Sequence, residues 1–149
     1  MPVNSSFVGR RYRSAEPYLV GPDELRAFAA AFGASAPACC DPAAAQALGY
    51  AGLVAAPTYA VVIAQQAEAE YVRDPASGID FERVVHGEES FRHHRPIVAG
   101  DRITTELTVA SVVERRGMTT VTTAVQLSDA AGQPVATVTS TLVVRGEAG

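Results

Sequence analysis

The last third of the chain constrains the fold most strongly, because apolar and polar residues alternate there over three consecutive stretches. DRITTELTVASVVERR covers residues 101–116, MTTVTTAVQLSDA covers 118–130, and QPVATVTSTLVVRG covers 133–146. Arg116–Gly117 and Asp129–Gly132 supply turn residues between them. Within the first stretch, one face carries Ile103, Thr105, Leu107 and Val109. Val- and Thr-rich strands joined by short turns predict an antiparallel meander.

Two short helices are predicted in the first 50 residues. GPDELRAFAAAFG has Pro22 in its first turn and Gly33 as its C-terminal cap. DPAAAQALGY has Asp41 as N-cap, Pro42 at the first helical position and Gly49 at its end. The spacing in the first helix predicts one buried face made of Leu25, Phe28, Ala29 and Phe32.

The stretch APTYAVVIAQQAEAEYVRD predicts a longer helix that starts at Pro57. Its first half is apolar almost all round, which is typical of a helix buried on most sides, whereas Glu68 and Glu70 lie in its second half. These two glutamates either supply a base or form a solvated helix end. Helices followed by strands indicate an α+β protein. A length of 149 residues fits a single domain spanning residues 1–149.

Composition argues against several classes of function. The net charge is −4 with no basic block, which argues against nucleic acid as a partner. No run of about 18 apolar residues is present, and the first residues lack the apolar core of a signal peptide, so no membrane span or secretion is expected. The only cysteines, Cys39 and Cys40, are adjacent, which indicates reduced thiols and a cytoplasmic protein. Two Cys and three His show no metal-ligand spacing, and no cofactor is expected.

Three segments give the chain a resemblance to a known family. They are VGRRYRSAEPYLVGPDELRAFAAA near the start, DPAAAQALGYAGLVAAPTY before the long helix, and FRHHRPIVAGDRI before the first long strand. The chain resembles the MaoC-like hydratase/dehydratases, and within them the accessory subunits of (3R)-hydroxyacyl-ACP dehydratases (HadA/HadC-type, UPF0336-like). This resemblance implies the hot-dog fold, in which an antiparallel sheet wraps around a long central helix.

The resemblance also shows what this chain lacks. Catalytic members carry G-D-x-N-P-I-H, then a short helix, then A-H-G at the start of the central helix. Their Asp and His move protons, and a backbone N–H at the helix start holds the thioester oxygen. Here Ala34 stands at the Asp position, Cys39 at the His position and Pro57 in the A-H-G triplet. Alanine carries no proton and proline has no N–H, so the resemblance implies a loop without its chemistry.

His86 and Glu88 offer an alternative place for acid–base chemistry. VVHGEES is typical of a strand, and simple alternation puts these two side chains on one face with Glu89 on the other. The pair could act as acid and base in a cleft, or form a structural hydrogen bond at a subunit interface. Cys39 likewise stays open between a substitute base and a small buried side chain.

The expected binding surface combines small residues near the helix with the basic stretch FRHHRP. Small residues beside the helix leave room for an acyl chain, or only allow close helix–sheet packing. The basic stretch either receives the phosphate arm of a carrier or is a solvated cluster. The predicted substrate-binding residues are Gly52, Ala55, Tyr59, His86, Gly87, Arg92 and His94.

The sequence therefore predicts a non-catalytic, acyl-binding subunit of a (3R)-3-hydroxyacyl dehydratase in fatty acid elongation. Its expected partners are an acyl thioester on acyl carrier protein or coenzyme A, and a catalytic hot-dog chain in a heterodimer, with a homodimer as the alternative. Two other functions stay open. One is a self-sufficient thioesterase or hydratase with relocated acid–base residues, and the other is an acyl-CoA-binding regulatory module.

Overall fold

A computed structural model describes residues 2–146. The N-terminal part contains two short strands, β1 (Arg11–Arg13) and β2 (Tyr18–Leu19), and then three helices, α1 (Pro22–Ala31), α2 (Pro37–Cys40) and α3 (Pro42–Ala47). The long helix α4 (Ala60–Arg73) follows. The remaining strands are β3 (Val84–His93), β4 (Arg102–Arg115), β5 (Met118–Ser128) and β6 (Pro134–Arg145).

The six strands form one antiparallel sheet in the order β1-β4-β5-β6-β3, with β2 paired to the same strand β4 as β1. The predicted meander β4-β5-β6 is confirmed, and its first turn has positive φ at both Arg116 (52°) and Gly117 (76°). Such a turn matches the twist of the strands it joins. Strand β3 ends the order, so its outer edge has no strand partner among residues 2–146.

Helix α4 packs on one face of this sheet and forms the centre of the core. Ile63, Ala64 and Tyr71 are buried against inward-facing residues of the long strands, among them Leu107, Val121, Val125, Val138 and Leu142. This is the predicted arrangement of an antiparallel sheet wrapped around a long helix. No helix among residues 2–146 is long and apolar enough to cross a membrane.

The local predictions are largely confirmed, with three corrections. Asp41 caps α3 by accepting a hydrogen bond from the Ala43 N–H at 3.0 Å. Pro57 begins a 3-10 turn, Pro57–Tyr59, and the α-helix starts only at Ala60.

Phe32 was predicted to be buried, but it is 57% exposed. The reason is that α1 ends at Ala31, so Phe32 leaves the helical phase of the buried face. Helix α2 lies where the sequence indicated a loop.

Candidate functional site

The loop expected to carry catalysis is present as a structure but has few groups that exchange protons. It runs from the end of α1 through α2, and the Ala38 carbonyl in α2 accepts a hydrogen bond from the Val54 N–H at 2.9 Å. This bond docks the loop onto the segment that leads into α4. Cys39 is buried, and burial raises the pKa of its thiol, with a smaller contribution from Cys40. A thiol with a raised pKa is a poor base at neutral pH, which favours the small-buried-residue interpretation.

The 3-10 turn that leads into α4 begins at Pro57, which has no N–H, and the Pro57 carbonyl is already hydrogen-bonded. The Pro57 carbonyl oxygen lies 2.9 Å from His93 Nε2, and the imidazole N–H donates to it. The His93 ring also stacks on Phe91, with centroids 6.3 Å apart and an interplanar angle of 7°. His93 was expected only as part of the basic stretch FRHHRP, and its bond to Pro57 leaves no spacing signal because the partner lies 36 positions away along the chain.

Three predicted substrate-binding residues near this end of α4 lie within packed structure. Tyr59 is 2% exposed, shares a hydrogen bond of 2.5 Å with the Tyr18 hydroxyl and packs edge-on against Phe28. Burial and the Tyr18 bond raise the pKa of the Tyr59 phenol. Ala55 is buried, and at Gly52 a Cβ would lie 3.5 Å from the Ala99 side chain. These contacts favour the close-packing interpretation of the small residues.

Strand β3 overturns the predicted pairing of His86 with Glu88. The register against β6 shifts between these two residues, so Gly87 is an extra residue in a β-bulge. His86 lies opposite Leu142 and Glu89 lies opposite Ser140, two residues that are both buried. The bulge reverses the alternation. It therefore puts His86 and Glu89 on the helix side of the sheet and Glu88 on the other side.

His86 instead approaches a carboxylate that comes from the central helix. Its Nε2 lies 3.9 Å from Oε2 of Glu68, whose side chain is almost fully buried whereas that of His86 is half exposed. Glu68 Oε1 accepts a long hydrogen bond of 3.4 Å from Thr123. Glu89 Oε1 accepts one of 2.7 Å from Ser140. We call Glu68, His86 and Glu89 the carboxylate cluster.

The carboxylate cluster has an unusual electrostatic environment. Burial raises the pKa of Glu68, and the nearby Glu89 raises it further. His86 and the Thr123 bond lower it, but burial has the largest effect. Glu89 Oε2 is buried and has no hydrogen-bond partner among the described residues. A buried carboxylate oxygen without a hydrogen-bond donor destabilises the folded protein. The interpretation of Glu68 as part of a solvated helix end therefore does not fit its environment.

A cavity of about 410 Å³ lies next to the cluster, between the second half of α4 and the first residues of β3. Glu68 and His86 line it, and most of its remaining wall is apolar. Phe81 lies at this cavity and is 75% exposed. The lining residues are Gln65, Glu68, Ala69, Val72, Arg73, Phe81, Val84, His86 and Leu142.

The basic stretch of the sequence divides into residues with different environments. Arg95 is used structurally, since it makes two hydrogen bonds to Asp101, at 2.8 and 3.1 Å, and an ion pair with Asp129 at 3.5 Å. The hydrogen bond to Asp101 raises the pKa of Arg95. Arg92 and His94 are exposed. A phosphate-binding role for those two residues stays a prediction.

Comparisons with known proteins agree with this architecture. A family model for the FAS1-like, dehydratase domain region matches residues 6–138. A UPF0336 protein of Clavibacter michiganensis is 46% identical over 147 residues, which cover 99% of each chain.

Two solved structures share the whole fold. One is a chain of the C-terminally truncated HadBC (3R-hydroxyacyl-ACP dehydratase) complex of Mycobacterium tuberculosis. It has a TM-score of 0.85 and 29% identity, over 92% of this chain and 96% of that one. The other, a MaoC-like dehydratase, has a TM-score of 0.87 and 32% identity, over 95% of this chain and 43% of that one. This chain therefore has the hot-dog fold and belongs to the FAS1-like dehydratase region family of MaoC-like proteins.

Proposed function

We propose that this chain is a non-catalytic, acyl-binding subunit of a (3R)-3-hydroxyacyl thioester dehydratase. A separate catalytic hot-dog chain supplies the acid and base. The substrate is an acyl chain carried by acyl carrier protein or coenzyme A in fatty acid elongation. The accessory chain contributes walls of the acyl site and stabilises its partner.

The observation that carries this proposal is the combination of an intact catalytic-loop fold with missing chemistry. Ala34 has no ionisable group, Cys39 is buried with a raised thiol pKa, and Pro57 has no N–H. Removing one oxyanion donor costs about 10²–10³ in rate. Removing a general acid or base costs about a further 10²–10⁴. A chain that lacks all three groups needs a partner to supply them.

The sheet offers a surface where that partner can pair. Strand β3 is ten residues long and has no strand on its outer edge among the described residues. Exposed edges of this length are normally paired or covered. The HadBC dehydratase chain belongs to a complex, and this chain matches only 43% of the MaoC-like dehydratase, which leaves room there for a second domain of similar size. Both similarities support pairing between two hot-dog units.

Apolar surface remains on α4 for the partner or the acyl chain. Val61 and Val62 in the first half of the helix are only half buried. Arg92 and His94 are exposed and available to a phosphate group, which suits the phosphopantetheine arm of a carrier. The acyl-binding surface is thus expected to be completed when the two chains assemble.

The test is hydration of an enoyl thioester, measured with the purified chain, with a catalytic hot-dog chain encoded beside it, and with the co-purified mixture. We expect no turnover by this chain and strong turnover by the mixture. A His→Ala variant in the partner's intact D-x-N-P-x-H loop should abolish activity, whereas Cys39→Ala in this chain should not.

Two other outcomes would replace the proposal. Turnover by the isolated chain that is lost in His86→Ala would indicate a self-sufficient enzyme at the carboxylate cluster. Tight acyl-CoA binding without turnover in any mixture would indicate a regulatory binding module.

A further inference from the structure

The carboxylate cluster has more hydrogen-bond acceptors than the neighbouring described residues have donors for them. Glu68 is 5% exposed, and its Oε2 lies 3.9 Å from His86 Nε2, which is beyond hydrogen-bond distance. Glu89 Oε2 is buried without a partner among residues 2–146. Thr123 and Ser140 each donate their single hydroxyl proton to the other oxygens of these carboxylates. Among the described residues, no donor therefore lies within hydrogen-bond distance of Glu68 Oε2 or Glu89 Oε2.

The charge of this region favours one class of ligand. Glu68 lines a mostly apolar cavity, and the charge of the nearby Glu89 acts on it. No ion pair between described residues joins the cavity-lining Arg73 to either glutamate. An anion would be repelled by both carboxylates. A neutral hydroxyl would add a single hydrogen bond, whereas an ammonium or guanidinium group adds several donors and a compensating charge in a poorly solvated place.

The position of the cavity indicates where such a group would come from. Its wall includes Val84 and His86 at the start of β3, the strand whose outer edge pairs with no strand within residues 2–146. Phe81, which lines the cavity and is 75% exposed, extends this apolar surface toward solvent. A strand paired to β3 would lie about 4.8 Å away, which a long Lys or Arg side chain can span.

We propose that the cavity between α4 and β3 is a binding site for a basic side chain, Lys or Arg, of the chain that pairs with the β3 edge. The inference rests on the proposed function, because that function supplies the partner. The basic group would donate to Glu68 Oε2 and be attracted by the charge of the nearby Glu89, while its aliphatic part lies on Val72, Val84 and Leu142.

The first experiment needs no partner and uses n-butylammonium chloride as the probe, with n-butanol and equal sodium chloride as controls. Chemical shifts of the isolated protein are followed by NMR. We expect saturable shifts at Ala69, Val84 and Leu142 with butylammonium and at least about tenfold weaker binding of butanol. Equal binding of butanol and butylammonium would overturn the proposal.

Matched variants separate the cavity from general surface charge. Glu89→Gln and Glu68→Gln should each weaken butylammonium binding at least about tenfold. Glu88→Gln removes the same charge one residue away, on the opposite face of β3, and should change the affinity by less than about twofold. An equal effect of Glu88→Gln and Glu89→Gln would show that the cation binds no specific site. Circular dichroism confirms that each variant is folded.

The second experiment measures the affinity of the assembled complex. With the catalytic chain, Glu89→Gln should weaken the complex at least about tenfold, and Glu88→Gln less than about twofold. If the mixture hydrates the thioester but both variants assemble equally well, this inference is wrong and the proposed function stands. If no mixture is active, the proposed function fails, and the butylammonium experiment still decides the chemistry of the cavity. Weakening of self-association alone would assign the basic group to a second copy and overturn the partner assignment.

Discussion

The two ends of the central helix carry opposite kinds of side chain. At the N-terminal end, where the family resemblance places catalysis, Ala34, Ala55 and Pro57 offer no ionisable group, and the Tyr59 hydroxyl is already used by Tyr18. At the C-terminal half, Glu68 is buried beside His86 and Glu89. The N-terminal end of the helix therefore has no available ionisable group, and we call it the quiet end. The C-terminal half carries a buried carboxylate with too few hydrogen-bond donors, and we call it the charged end.

This difference separates what the fold requires from what the function requires. The quiet end is held by backbone bonds and packing, such as Val54 N–H to the Ala38 carbonyl, and these survive without catalytic residues. The charged end costs stability, since a buried carboxylate could be replaced by an apolar side chain of similar volume. We infer that the charged end is retained for binding.

The largest expected effect on the free energy of unfolding comes from placing a charge in the apolar part of helix α4. Ala64 lies one turn before Glu68 and is 1% exposed within the core. Ala64→Glu should lower the free energy of unfolding by at least about 3 kcal/mol, because the new carboxylate has no compensating donor. Urea unfolding followed by circular dichroism measures this.

Gln66→Glu provides the control for that variant. Gln66 is exposed on the same helix, so its replacement should change the free energy of unfolding by less than about 0.5 kcal/mol. If Ala64→Glu were equally mild, the quiet half of the helix would tolerate charge, and the contrast between the two ends would be lost.

A smaller effect, of opposite sign, is expected at the charged end. Burial raises the pKa of Glu68 in the folded protein above its ordinary value of 4.5. The protonated acid is therefore favoured in the fold. This preference stabilises the folded protein fully at pH values below the pKa of Glu68 in the unfolded chain. The stabilisation is lost as the pH rises through the higher pKa of Glu68 in the folded protein. Glu68→Gln should raise the free energy of unfolding by about 1–2 kcal/mol at about pH 8, and by much less at about pH 4.

Thermal and urea unfolding across this pH range test the prediction, with Glu70→Gln on the exposed side of the helix as the control. Glu70→Gln should show no comparable pH-dependent difference from the native sequence. A Glu68→Gln protein that is less stable at about pH 8 than at about pH 4, relative to the native chain, would show that the ionised carboxylate is well paired.

The sequence was sufficient for the elements whose pattern is local. The alternation of residues 101–116 and the turn at Arg116–Gly117 predicted the meander, and Asp41–Pro42 predicted a capped helix. These features depend on residues only a few positions apart in the chain, so the local residue pattern is enough to predict them. The enclosure of α4 followed from its all-round apolar first half together with the family resemblance.

The carboxylate cluster could not be predicted in the same way. Simple alternation predicted that the His86 and Glu88 side chains share one face of β3. The extra residue Gly87 reverses the alternation, so that Glu89 shares the face of His86 instead. At Gly87 a Cβ would lie 3.3 Å from Val143 Cγ2. A glycine inside a strand was the one available sign of a bulge. The contact between His86 and Glu68 joins a strand to a helix and leaves no spacing signal in the sequence.

The smallest expected effect concerns the cysteines at the quiet end. Cys40 is exposed, whereas Cys39 is buried and its thiol pKa is raised by burial. In the Cys40→Ser variant, the remaining thiol should react with a disulfide reagent at least about tenfold more slowly than the same protein in urea. Cys39→Ala should lower the free energy of unfolding by less than about 1 kcal/mol and leave hydration by the mixed complex unchanged. Rapid reaction of Cys39 at neutral pH would instead reveal a thiolate at the catalytic position. The N-terminal end of the helix would then carry chemistry of its own, and the contrast between the two ends would have to be redrawn.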